Sequence, residues 1–269
     1  MMALSEIMST GLRKLGLACI IATLAAASAH AGDETTLLAP TGKLRVGVYP
    51  GSPTSLVTDP ATHQTHGLSH DLGEAFAKRL GVPVAYVTFQ RIADVIAAIK
   101  NAEVDFTITN ATPARANDVS FSPILVAVEL GYLVPPNSTI MSADEIDQPG
   151  IRIGVTKGGT SERTLGAKFP NAKIVPAESV TSAVAMFGLG EIDLYATNKP
   201  TLFEMSDALP GARILNGSWG LEHMAVAIPK GREQALPSVA DFVKDVQSNG
   251  LLTRAQQEAG LRGAVKADQ

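Results

Sequence analysis

"NAEVDFTITNATP" (101–113) and "LGEIDLYATNKPT" (189–201) are two versions of one passage. Each sets an aspartate two places after a glutamate, runs through β-branched and aromatic residues to Thr-Asn, and meets a proline within three residues. A strand that ends twice in the same polar turn suggests two α/β units of like construction.

The flanks support this. Before the first copy lie a strand in "KLRVGVY" (43–49), a helix in "LSHDLGEAFAKRLG" (68–81), a strand in "VPVAYVTF" (82–89) and a helix in "RIADVIAAIKNAE" (91–103). Leu68, Leu72, Ala75, Phe76 and Leu80 fall at helical spacing, and Gly81 is a good residue just past the helix end. Before the second copy come "IRIGVTKGGT", a strand and glycine turn; "SERTLGAKF", a helix; "AKIVPA", a strand; and "SVTSAVAMFGLG", a helix with a serine cap. Strand–helix alternation implies parallel sheets with crossover helices. "VAVELGYLV" (126–134) reads as a strand crossing between the units, and "WGLEHMAVAI" (219–228) as the return. The tail reads as helix, turn at Gly250, helix, packed back on the first unit. The expected architecture is α/β and two-lobed, with two mostly parallel sheets joined by two strand crossings. Lobe one takes 40–129 and 220–269, lobe two takes 130–219, and the ligand cleft lies between them.

The net charge of −4 and the absence of any Lys/Arg run argue against nucleic acid as a partner. Arg13 and Lys14 precede "LGLACIIATLAAASAHA", which closes on Ala29-His30-Ala31. This reads as a secretory signal over residues 1–31 and places the protein in the periplasm. Cys19, the chain's single cysteine, falls inside that segment. The mature chain then has no cysteine, which excludes disulfides, thiolate catalysis and cysteine-ligated zinc.

From about Lys43 to Gly260 the chain resembles the extracytoplasmic solute-binding proteins of ABC importers, the family 3 group best known for amino acids. "GLSHDLGEAFAKRLG" is similar to that family's G-F-D-x-D-L helix, and "TPARANDVSFS" to its T-x-x-R followed by v-x-F-S. "IGVTKGGTSE" is similar to its vGv-x-x-G-T turn, and "GEIDLYATN" to its G-x-x-D strand. The resemblance implies that Arg115 pairs with a ligand carboxylate, which suits a planar, permanently charged guanidinium. It implies Thr112 beside it, the Gly158-Gly159-Thr160 turn opposite with free helix N–H groups, and Tyr49 as an aromatic wall. Asn110 and Asn198 close the two strands and are further candidates.

Asn198 departs from the family pattern, which has an aspartate there for the ligand's ammonium. A buried ammonium without a counter-charge costs several kcal/mol, so the sequence favours a small organic anion over a zwitterionic amino acid. Glu129 or Glu222, on the crossing strands, could replace the missing acid. Asp105 and Asp193 read as structural. His63, His66 and His70 with Asp71 form the histidine cluster, read as solvated loop residues, so no metal and no cofactor is expected. The expected function is a monomeric, non-enzymatic receptor that binds a small carboxylate by lobe closure and docks on an ABC permease. The alternative is an enzyme of the same fold, such as a cyclohexadienyl dehydratase-like lyase, with Glu129 or Glu222 as acid.

Overall fold

The computed structural model describes residues 34–265; the signal segment and Cys19 lie outside them. Strand β1 (Leu44–Val48) is almost wholly buried, as a strand covered on both faces should be. A small antiparallel ribbon, β2 (Val57–Thr58) and β3 (Thr65–His66), leads into helix α1 (Leu68–Leu80). That helix ends as expected: Gly81 sits in the left-handed region at φ 69° and its N–H reaches back to the carbonyls of Ala77 and Lys78. Strand β4 (Val84–Thr88) then pairs in parallel with β1. Helix α2 (Ile92–Lys100) follows, and the backbone returns to β1 through a parallel bridge between Val46 and Phe106 before strand β5 (Thr107–Asn110).

After a one-turn helix, α3 (Pro113–Ala116), strand β6 runs unbroken from Val119 to Val134. It begins seven residues earlier than the sequence predicts. Pro123 obscures the start, because a proline cannot donate to a ladder. The structure absorbs it at a register shift, where the Ser122 hydroxyl accepts the Val226 N–H at 3.0 Å.

The second half repeats the first: β7 (Arg152–Thr156), α4 (Thr160–Lys168), β8 (Lys173–Ala177), α5 (Val180–Gly188) and β9 (Leu194–Asn198), with β7 parallel to both β8 and β9. Ser179 caps α5 in a reciprocal box with Ser182. Helix α6 (Lys199–Asp207) follows β9 directly; its proline in the first turn, which reads as a strand-end turn in the sequence, opens the helix instead. Strand β10 (Arg213–Ile214) pairs with β6, and β11 (Gly220–Pro229) returns antiparallel to it. Helices α7 (Leu236–Ser248) and α8 (Leu251–Glu258), then β12 (Ala264–Val265), close the chain.

Strand β6 joins the halves. It pairs with β11 from Val119 to Leu130 and with β9 from Leu130 to Leu133. One core cluster gathers β1, α1, β11 and α7 through Val46, Phe76, Val226 and Phe242; another gathers Val134, Ile153, Leu165 and Leu194. The repeated aspartates have matching jobs. Asp105 accepts from the backbone N, Nε and Nη2 of Arg45, and Asp193 from the same three atoms of Arg152. Each arginine also reaches a carbonyl in the turn before its aspartate, Ala102 or Gly190. Two like halves thus carry the same staple, and a two-lobed α/β fold results.

Candidate functional site

The ends of β1, β5 and β9, the turn before α4 and the return strand β11 line a cavity of about 40 Å³. Tyr49, Asn110, Arg115, Gly159, Thr160, Asn198 and Glu222 all line it.

Arg115 stands at the end of α3, yet only 6% of it is exposed. Its Nη1 donates to the Thr109 hydroxyl at 2.6 Å and to the Asn110 carbonyl at 3.3 Å. Its Nε and Nη2 have no protein acceptor among the described residues. No fully buried side-chain nitrogen or oxygen there lacks a partner, so those two donors keep solvent access, on a residue that lines the cavity. Burial pushes the guanidinium's pKa down, against the pull of Glu222. Thr112 does not reach the cavity. Its hydroxyl caps α3 by accepting the Arg115 N–H at 3.2 Å, so the hydroxyl beside the guanidinium is that of Thr109. The motif spacing could not separate the two, because Thr109 and Thr112 bracket the same turn.

Glu222 faces this arginine from β11. Its carboxylate accepts from Asn198 Nδ2 at 2.9 Å, and the nearby Asn110 amide also favours its charged form. Burial raises its pKa above the usual 4.5, opposed by Arg115 and the two amides. Of the two acids on the crossing strands, Glu129 does not line the cavity; Lys199 Nζ binds it at 2.7 Å. Asn198 differs from its expected role as well. Its Oδ1 caps α6, accepting from Thr201 N at 3.1 Å and Thr201 Oγ1 at 2.8 Å, while its Nδ2 holds Glu222. Both ends are taken by protein.

The wall opposite Arg115 is the start of α4. Gly158 N–H goes to Glu162 Oε2 and Gly159 N–H to the Thr156 carbonyl, at 2.6 and 2.9 Å. The first N–H groups left free by the helix are therefore those of Thr160 and Ser161, both on the cavity. Ser52, Thr54, Thr156 and Thr201 add hydroxyls, and Ile92, Val180 and Met224 add apolar surface. Sequence reading missed Ser52, Thr54 and Thr201, which carry no motif. Trp219 lies elsewhere, donating to the Gly131 carbonyl and packing on Tyr132.

Contacts cross the mouth between the halves. Ser52 and Thr201 share a hydrogen bond at 2.8 Å, Asn110 Nδ2 reaches Thr160 Oγ1 at 3.4 Å, and Arg91 pairs with Glu178. Gly158, at φ 71°, sits so near α2 that an added Cβ would lie 2.6 Å from the Cβ of Ala93.

The family model of bacterial extracellular solute-binding proteins, family 3, matches residues 44–260, from the start of β1 to just past α8. The chain belongs to that family. Among family 3 relatives, it is 21% identical over 196 residues to the ABC transporter glutamine-binding protein GlnH of Bacillus subtilis (strain 168), covering 71% of each chain. It is similar in structure to the ancestral amino-acid-binding protein AncCDT-1, a precursor of cyclohexadienyl dehydratase. The TM-score there is 0.72 at 26% identity, over 83% of this chain and 98% of that one. The solute receptor for L-cysteine of Neisseria gonorrhoeae shares the fold at TM-score 0.75 and 23% identity, over 85% of this chain and 94% of that one.

Proposed function

We propose that this family 3 protein is the periplasmic receptor of an amino-acid ABC importer, and that its ligand is a zwitterion with an uncharged side chain. One observation carries the reading: Arg115 and Glu222, of opposite charge, line the same buried cavity. The free Nε and Nη2 of Arg115 suit the fork of an α-carboxylate, helped by the N–H groups of Thr160 and Ser161. Glu222, held by Asn198, suits the α-ammonium. The acid absent at position 198 is thereby supplied from β11, which reverses the sequence-based preference for an amine-free anion. Among the described residues no other charged side chain lines the cavity, so neither an acidic nor a basic ligand side chain finds a counter-charge. The hydroxyls of Ser52, Thr54 and Thr201 suit a neutral polar one, in keeping with relatives whose names record glutamine or cysteine.

A thermal-shift and calorimetry panel tests this. Neutral polar amino acids should raise the melting temperature, while arginine, lysine, aspartate and amine-free carboxylates should not, since tight binders raise stability as RT ln(1 + [L]/Kd). Preference for an amine-free acid would overturn the zwitterion reading.

The lobes we assign as 40–129 with 220–269, and 130–219; closing them brings the α4 turn onto the ligand, and the closed form docks on the permease. Gly158→Ala should then hinder closure. A β-carbon there would lie 2.6 Å from the Cβ of Ala93 across the mouth, a clash that opening relieves, whereas the strain of φ near 71° is common to both forms. Affinity should fall through the clash, while the φ strain lowers the melting temperature of the ligand-free chain without unfolding it; equal affinity by calorimetry would refute the contact's role.

A second reading rests on the raised pKa of Glu222, which would let it give up a proton as an acid, and on the likeness to a dehydratase precursor. Incubation with prephenate or arogenate, followed by chromatography, decides it: a receptor returns them unchanged.

A further inference from the structure

The histidine cluster at the start of α1 has a partner that its sequence neighbourhood does not contain. His66 on β3, Asp71 in the first turn of α1 and Glu258 at the end of α8 bring one ligand atom each to within 4.8 Å of one another. Glu258 lies 187 positions from Asp71, and only the packing of the C-terminal helices against α1 joins them.

Asp71 is firmly held. His70 Nδ1 donates to its Oδ1 at 2.7 Å, and the Gly67 N–H donates to its Oδ2 at 3.1 Å. The His70 ring is in turn stacked on Tyr86, centroids 4.2 Å apart and 11° from parallel, and the Tyr86 hydroxyl donates to the His70 carbonyl. Carboxylates that bind metals are commonly held by outer hydrogen bonds, and these two fix Asp71. His66 Nδ1 stands 3.8 Å from Asp71 Oδ2, too far for a hydrogen bond. It is close to the separation of about 3.3 Å between two ligands on one tetrahedral zinc with bonds near 2.0–2.1 Å. Among the described residues no lysine or arginine forms an ion pair with Asp71 or Glu258. Two carboxylates therefore converge on an imidazole with no fixed cation between them.

We infer that His66, Asp71 and Glu258 form a binding site for a zinc-type divalent ion, with His70 as the group that positions Asp71. One imidazole and two carboxylates fit zinc with water completing the shell. Calcium would want six or more oxygens, and magnesium disfavours imidazole. None of these residues lines the cavity of Arg115, so the ion would pin the C-terminal helix to the β2–β3 ribbon without touching the ligand. This departs from the sequence reading, in which the histidines are solvated and no metal binds.

The test uses the untagged mature chain, stripped with chelator and titrated with zinc chloride by calorimetry and thermal melting. The expected result is one zinc per chain, a raised melting temperature and unchanged amino-acid affinity. His66→Ala and Glu258→Gln should each weaken zinc at least 10-fold, and His70→Ala 10- to 100-fold. His63→Ala, outside the converging group, should change nothing. The Glu258 side chain is exposed and makes no hydrogen bond or ion pair among the described residues, so its variant keeps the fold and guards against a trivial loss. No saturable binding by the wild-type chain, or equal affinity in the His66 and Glu258 variants, would overturn the site.

Discussion

Replacing Arg115 with alanine is expected to weaken binding of the cognate amino acid by roughly 30- to 5000-fold, because cutting one side of a buried, hydrogen-bonded charge pair costs about 2–5 kcal/mol. The ligand carboxylate would enter the same buried cavity and find only the N–H groups of Thr160 and Ser161. Arg115→Lys should recover a small part of this, since an ammonium keeps the charge and loses the fork. Neither change should unfold the protein. Burial already lowers the pKa of this guanidinium, so the folded state gains nothing from its charge. Calorimetry with the amino acid that gives the largest thermal shift, beside a melt of the ligand-free variant, measures both. Wild-type affinity in the alanine variant would remove Arg115 from the site.

Glu222→Gln should invert the ligand preference. Affinity for the zwitterion is expected to fall by about 2 kcal/mol or more, roughly 30-fold, as its ammonium loses the facing charge. An amine-free carboxylate of the same shape should bind as well as before or better. The wild-type pH profile follows from the same group. Its folded pKa is raised, chiefly by burial, above the ordinary 4.5. In the free protein the stability it contributes is therefore full below pH 4.5 and is lost as pH rises through the folded value. Ammonium binding needs the ionised form and so has the opposite sign: affinity falls as pH drops through that raised pKa, and binding releases a proton. Glu222→Gln should flatten both slopes. A pH-independent affinity in the wild-type chain would show that Glu222 does not face the ammonium.

Much of this site was legible because its signals are local. Arg115 follows a strand, a threonine and a proline at fixed spacing. The α4 turn shows its two glycines, and the repeated E-x-D passages announce two halves. The details that failed were settled by contacts the spacing does not encode. Thr109 and Thr112 are equally near Arg115 in sequence; the cap of α3 takes one hydroxyl and leaves the other for the guanidinium. Ser52, Thr54 and Thr201 carry no pattern at all, and meet only because β1 and α6 approach across the mouth.

The chain by itself determined two α/β halves, an arginine at the end of the first and a missing aspartate at the end of the second, since strand periodicity and turn chemistry are properties of short segments. It could not say whether that acid was replaced. The answer lies in sheet register: Asn198 sits opposite Leu130 on one side of β6, and Gly220 sits opposite Leu130 on the other. Glu222 is therefore two residues along β11, on the same face of the strand as Gly220, where Asn198 can reach it. Pairing across a third strand is a long-range fact, and only the folded sheet decides it.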